Sequence, residues 1–238
     1  MYVNVSAVIP AYNEGLNLGR LVDEVSSNLR DCCDVFQIIF VYEDNDGGQE
    51  LLKEMGKKSQ FISVDYSARP LGIGGALKRG FHQIPEGTTH VLIMDADLSH
   101  DPRDIPRLLK ASESADIVVG SRYVEGGGID QMSLVQKAIS QFANRTISGI
   151  FGVKVKDLSS NYRLYDVKAI RVIRDSIISN EYDFFPESLI VASRRAYKVG
   201  EAPITYHRRE RGKSKLNLYK TGTAYIRLIL RLHFLLQI

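Results

Sequence analysis

Two carboxylates separated by one residue, Asp95 and Asp97, stand directly after the apolar run His90-Val-Leu-Ile-Met94. Ligands of open α/β sheets bind beyond the carboxyl ends of the strands. Carboxylates at i and i+2 in that place can converge on one hard divalent cation, which in turn grips a diphosphate. The bare spacing also fits a solvated turn, but the strand before it and Pro102 after it favour the chemical reading. A second cluster, Val8-Ile9-Pro10-Ala11-Tyr12-Asn13-Glu14, ends the first apolar run. It offers an aromatic face and polar groups at the same edge, or else a helix start capped by Asn13. No Gly-x-Gly-x-x-Gly follows the first strand and no Gly-Lys-Ser/Thr occurs, which excludes a dinucleotide fingerprint and a Walker loop.

Charge adds a third element. From Arg194 to Ile238 there are 11 basic residues against two acidic ones, a net +9, while the preceding 193 residues carry −6. A basic tail on an acidic body suits an anionic partner: phosphate, a lipid headgroup or nucleic acid.

These residues need a scaffold, and the hydrophobic pattern supplies one. Val3 to Pro10, Val35 to Tyr42, Phe61 to Val64, His90 to Met94 and Ala115 to Gly120 read as strands. Between them, Leu18 to Leu29, Gln49 to Lys58 and the segment from Gly72-Ile-Gly-Gly75 to about Gln83 have helical character, and Asp104 with Pro106 suits a short capped helix. This alternation predicts an α/β fold with a mostly parallel, doubly wound sheet. Ser133 to Phe151 reads as a long helix with an apolar stripe. Asn161 to Asp166 reads as a strand, Glu187 to Tyr197 as a helix, Glu201 to Arg209 as extended, and Tyr219 to Ile238 as an apolar helix broken by Arg227, Arg231 and His233.

The chain has 238 residues, enough for one large domain. It has no run of the ~18 apolar residues that a membrane span requires. No basic segment precedes an apolar one at the N-terminus, so no signal peptide is expected. Cys32 and Cys33 are adjacent and read as two reduced thiols.

Seven segments taken in order resemble family 2 of the inverting glycosyltransferases, and within it the polyprenyl-phosphate glycosyltransferases of the dolichyl-phosphate mannose synthase group. They are Val8 to Glu14, Gly72 to Ala76, Asp95 to Pro102, Gly120-Ser-Arg-Tyr123, Asn161-Tyr-Arg-Leu-Tyr165, Glu187, and Arg209-Glu-Arg-Gly-Lys-Ser-Lys215. The resemblance implies a GT-A-type, Rossmann-like nucleotide-binding domain over residues 1–215 and a C-terminal amphipathic, membrane-surface helix over 216–238. It implies that Pro10, Tyr12, Glu14, Asp44 and Ala96 contact the donor nucleotide. Asp95, Asp97 and Ser99 would hold Mg²⁺ or Mn²⁺. Arg122 would meet the acceptor phosphate, with Lys137 and Ser140 near it, and Arg209 and Lys215 would close over the phosphates. Asp97, Arg122, Arg209 and Lys215 are thus the expected catalytic set.

The expected reaction transfers a hexose, mannose first, from GDP-mannose or a UDP-hexose to a polyprenyl phosphate. Its expected setting is the cytoplasmic face of a membrane, with the protein peripheral or anchored by a segment absent from this chain. The alternatives are a family 2 enzyme with a sugar hydroxyl acceptor, for which Glu187 is the candidate base, and a non-catalytic sugar-nucleotide binder. No nucleic-acid partner is expected. Two departures from the family stand out. The second strand ends in Glu43-Asp44-Asn45-Asp46 rather than an Asp-Asp-x-Ser type motif, and Lys137 and Ser140 replace a usual arginine near a serine. The Ser133–Phe151 stripe fits either core packing or a membrane face.

Overall fold

Each β-branched run forms a strand with both faces covered, as parallel sheets require. The computed structural model describes residues 2–43, 47–130, 133–207, 223–225, 227, 228, 230 and 231. The first half is a strict alternation: β1 (Asn4–Tyr12), α1 (Leu18–Cys32), β2 (Val35–Glu43), α2 (Gly48–Lys58), β3 (Ile62–Ser67), α3 (Ile73–Phe81), β4 (His90–Ile93) and, after a 3-10 turn, α4 (Ile105–Ala111) and β5 (Ile117–Ser121). The second half adds β6 (Gly128–Ile129), α5 (Leu134–Phe151), β7 (Arg163–Asp166), α6 (Val167–Ile173), α7 (Phe184–Arg194), β8 (Val199–Pro203) and β9 (Thr205–Tyr206).

Seven strands form one sheet in the order β3-β2-β1-β4-β7-β5-β8, and β6 pairs with β9 in a second small sheet. The pairs are parallel except where β7 lies antiparallel between β4 and β5. The strand order reverses between β1 and β4, which opens a crevice at their carboxyl ends.

Period-two alternation sorts the strand residues between two cores. Val5, Ala7 and Ile9, with Ile38, Phe40 and Leu92, pack on the face covered by α1 and α4. Val8, Ile39, Val91 and Ile93 pack on the other face with Leu77 and Phe81 of α3, Ile170 of α6 and Leu189 of α7. Leu228 is buried in that second core and Tyr225 packs against it, so the described helical residues of 223–231 lie on the domain. Among the described residues, no helix is long and apolar enough to cross a membrane.

Two local expectations are corrected. Asn13 does not cap α1; it sits in the left-handed region at φ 61°, and the helix begins at Leu18. Asp104 holds the N-cap position of α4, with Pro106 in its first turn, but makes no side-chain cap bond; the capping carboxylate is that of Asp101, at the start of the preceding 3-10 turn, which accepts the Arg103 N–H at 2.9 Å. The Asp104 carboxylate is drawn instead to Arg107 at 2.6 Å and to the Thr205 N–H at 3.1 Å.

Candidate active site

A cavity of about 560 Å³ lies in the crevice beyond β1 and β4. Pro10, Tyr12 and Glu14 form one side, Asp95, Ala96 and Asp97 the floor, and Gly72 with Asn180, Glu181 and Tyr182 the opposite wall. The structure therefore brings the first two sequence clusters into one site. Glu43 lines it as well, and its carboxylate accepts the Leu71 N–H at 3.0 Å. Asp44, the other acidic candidate there, lies outside the described residues, as do Arg209 and Lys215.

Among the described residues, the charged side chains lining the cavity are acidic: Glu14, Glu43, Asp95, Asp97 and Glu181. Asp97 is 2% exposed and its Oδ1 accepts two hydrogen bonds from Ser99, one from N–H at 3.0 Å and one from Oγ at 2.5 Å. Those bonds require the intervening Leu98 to adopt φ 62°, a strained value for a side chain of its size. Ser99 was expected in a metal shell. It is fully buried, does not line the cavity, and orients Asp97 from behind. Asp95 is oriented from its own side. Its Oδ2 accepts from Asn161 Nδ2 at 2.5 Å, and its N–H donates to His100 Nδ1 at 3.2 Å. Burial holds the His100 imidazole down, to about 4, so it is neutral and its Nδ1 can accept. The antiparallel run of β7 explains Asn161: Arg163 registers with Ile93, which sets Asn161 beside the carboxyl end of β4.

Arg122 belongs to an adjoining cluster. Burial opposes its charge, but Nε and Nη2 each donate to Asp157 at 2.7 Å, and that pairing keeps the guanidinium firmly ionised. Its ring neighbours are Tyr123 and Tyr206, at 5.4 and 5.6 Å. Tyr206 links the two clusters, because its hydroxyl also bonds to the Ser99 side chain and feels the charges of Asp95 and Asp97. His207 follows, its N–H donating to Ser99 O at 2.8 Å, so the chain enters the basic 208–215 run beside the carboxylate pair. Ser140 accepts from Tyr123 Oη at 2.7 Å, and Lys137 is exposed one turn earlier on α5.

The orientation of α5 is inverted relative to an ordinary amphipathic surface helix. Val135, Ile139, Phe142 and Ile150 are 55–74% exposed and share one face. Asn144 and Ser148 are buried on the opposite face, where Asn144 Oδ1 accepts the Ser159 N–H and Ser148 donates to Val155 O, both at 3.0 Å. Core packing therefore does not account for the stripe, although Ile147 does enter the core.

The model of the family Glycosyl transferase family 2 matches residues 6–174. The chain belongs to glycosyltransferase family 2. It is 32% identical over 232 residues to the undecaprenyl-phosphate mannosyltransferase of Micrococcus luteus, covering 94% of this chain and 92% of the relative. The dolichol-phosphate mannosyltransferase of Pyrococcus furiosus is 32% identical over 236 residues, which are 97% of this chain and 64% of that one. The transferase has a GT-A-type fold. Glucosyl-3-phosphoglycerate synthase from Mycobacterium tuberculosis, solved with Mn²⁺, uridine diphosphate and glucosyl-3-phosphoglycerate, shares it at TM-score 0.67 and 16% identity, over 93% of this chain and 76% of that one.

Several residues of the transferase's site were not singled out from sequence. Asp157 and Asn161 hold Arg122 and Asp95. Asn161 stands in a segment that carries the resemblance, but only the fold shows its partner and that of Asp157. Glu181 had no signal and lines the cavity. Glu187, the candidate base for a hydroxyl acceptor, is elsewhere. It is 1% exposed and bonded to the Ile178 and Ser179 N–H groups and to Arg231. Arg231 thus faces the domain rather than a lipid surface, while Arg227 and Leu230 remain exposed.

Proposed function

We propose that this glycosyltransferase moves a hexose, mannose first, from a nucleotide diphosphate sugar to a polyprenyl phosphate at a membrane surface, inverting the anomeric carbon. The observation that carries the donor half is the cavity lining, to which five carboxylates contribute, Asp95 and Asp97 among them. An anionic diphosphate enters such a site only with a cation. Asp95 and Asp97 are hard oxygen ligands of the kind Mg²⁺ and Mn²⁺ prefer. Bound there, the ion would neutralise the diphosphate and stabilise the departing nucleoside diphosphate.

The chain's own residues do the rest. Pro10, Tyr12, Glu14, Ala96 and one of Glu43 and Asp44 hold the nucleoside. Arg122, Lys137 and Ser140 lie toward the acceptor phosphate, and Arg209 and Lys215 close over both phosphate groups. A phosphate monoester is largely ionised near neutral pH, its second pKa being about 6, so the acceptor needs no general base. Positioning two anions and stabilising the leaving group then dominate the rate. The names of the Micrococcus and Pyrococcus relatives support the mannose and polyprenyl-phosphate assignments. Labelled GDP-mannose with a polyprenyl phosphate should give labelled lipid that is lost in EDTA and restored by Mn²⁺. Transfer to water-soluble sugars alone would replace this reading with the hydroxyl-acceptor one, for which Glu181 stands at the cavity.

The outward apolar face of α5 supports membrane contact next to the acceptor cluster. Replacing Ile139 and Phe142 with Asp should weaken binding to anionic vesicles by at least about tenfold, since each buried side chain contributes about 1.5–3 kcal/mol. Nucleotide affinity should be unchanged. Sedimentation with vesicles and calorimetry with GDP test the two halves.

A further inference from the structure

We infer that Arg231, from the C-terminal helical residues, is a positioning residue for the cavity wall and acts through the buried carboxylate of Glu187. The wall is the segment between the 3-10 turn Arg174–Ser176, which follows α6, and α7; its residues Asn180, Glu181 and Tyr182 face the cavity. Asp183 accepts from Ser179 Oγ at 2.8 Å and Lys78 donates to Ile178 O at 3.3 Å, but the two backbone N–H groups at the base of the wall are held by one side chain. Glu187 Oε1 accepts the Ile178 N–H at 3.2 Å and Oε2 the Ser179 N–H at 2.8 Å. Burying a carboxylate is costly without a cationic partner, and Arg231 Nη2 stands 2.8 Å from the 1% exposed Glu187. The same Nη2 donates to Ser179 Oγ at 2.9 Å, so Arg231 bridges the carboxylate and the loop it holds.

The connection continues to the opposite side of the wall. Asn180 O accepts the N–H groups of Gly74 and Gly75 at 2.8 and 3.2 Å, at the start of α3. Gly72 has φ 71° and approaches so closely that a Cβ there would stand 2.4 Å from Asn180 O. A wall packed this tightly against backbone transmits small displacements. Without Arg231 the Glu187 carboxylate loses its directly bonded cation and keeps only the more distant Lys78, so its hold on Ile178 and Ser179 weakens and the wall loosens. The C-terminal helical residues, outside the cavity, thereby set its shape. This extends the proposed function, because the wall matters to catalysis only if the cavity takes the donor.

The test uses full-length Arg231→Gln and Arg231→Lys proteins. Amide hydrogen exchange over 177–182 and 73–75 reads the wall directly. Calorimetry with GDP and UDP in Mn²⁺ reads the cavity. In Arg231→Gln, exchange over these segments should quicken and the diphosphate Kd should rise by about tenfold, as expected for loss of a charged hydrogen bond. Arg231→Lys should recover most of both. Donor KM should rise with kcat little changed, a split that general destabilisation does not produce. Unchanged exchange at 177–182 in folded Arg231→Gln overturns the inference. So does faster exchange with an unaltered Kd. If the wild type binds neither diphosphate, the donor-site reading fails, while exchange still decides whether Arg231 holds the wall. Should Arg231→Gln not fold, Ser179→Ala removes the second Arg231 acceptor and should shift exchange and Kd in the same direction by a smaller factor; no shift in either measurement would refute the coupling.

Discussion

Asp97→Asn should lower kcat by about 10²–10³-fold, the range found when one preorganised electrostatic group is removed from a transfer site. The substitution is nearly isosteric, so its effect separates charge from shape. An asparagine Oδ1 can still accept from the Ser99 N–H and Oγ, the two bonds that fix Asp97 now. Folding stability should therefore change little, and the strained Leu98 backbone should persist. What is lost is one of two carboxylate charges on the cavity floor, with Asp95 retained by Asn161 and His100. Nucleoside diphosphate binding should weaken most when Mn²⁺ is present and least in EDTA. Initial rates with labelled sugar nucleotide, paired with calorimetry in both conditions, check this. Wild-type turnover in Asp97→Asn would remove the carboxylate pair from the mechanism.

Ser99→Ala is informative beside it. That change leaves the Asp97 charge and one Ser99 bond in place, the N–H. Its smaller loss in rate would distinguish a residue that orients a carboxylate from one that contacts the donor.

The reasons some of this was legible in the sequence and some was not are physical. Strands buried on both sides read as near-continuous apolar runs, so β1, β2 and β4 were readable, and with them the edge at which Asp95 and Asp97 stand. The same pattern is blind to strand direction. Asn161 to Asp166 reads as a strand, yet nothing in its residues says that β7 runs against β4, and that reversal delivers Asn161 to Asp95. Helical periodicity is similarly blind to which face turns inward. The Ser133–Phe151 stripe suggests a buried face, and only the bonds of Ser140, Asn144 and Ser148 show that the polar face is the inner one. Glu187 was visible as a residue type but not as a buried one. Its partner in burial is Arg231, 44 positions later in the chain, and a contact at that separation leaves no local signature. Glu181 had no signal for a related reason: the wall it sits on is held by long-range bonds, such as those of the Gly74 and Gly75 N–H groups to Asn180 O.

Asp157→Ala should destabilise the fold by about 3–5 kcal/mol, the cost of stranding one member of a buried ion pair. Asp157 is fully buried and Arg122 is 17% exposed at its side chain, so solvent can replace little of what is lost. The carboxylate accepts from Arg122 three times, at N–H, Nε and Nη2, and from Ser159 Oγ at 3.3 Å. Truncation removes all of these at once and leaves a guanidinium between two tyrosine rings with no counter-charge from Asp157. Urea unfolding measures the loss. The size matters to mechanism as well as to stability. An Arg122 held in reserve for the acceptor phosphate would tolerate the loss of Asp157, because its charge would not depend on that partner. A committed ion pair predicts otherwise: Arg122→Ala with Asp157→Ala should together cost well under the sum of the single changes, since removing both leaves no stranded charge. In that case Arg122 presents to the acceptor a guanidinium already neutralised by its neighbour. Attraction of the lipid phosphate would then fall chiefly to groups outside the pair, of which Lys137 on the exposed side of α5 is the described candidate. A Lys137→Ala enzyme should accordingly lose more affinity for the phosphate acceptor than for the nucleotide, and steady-state kinetics with each substrate varied in turn would show it.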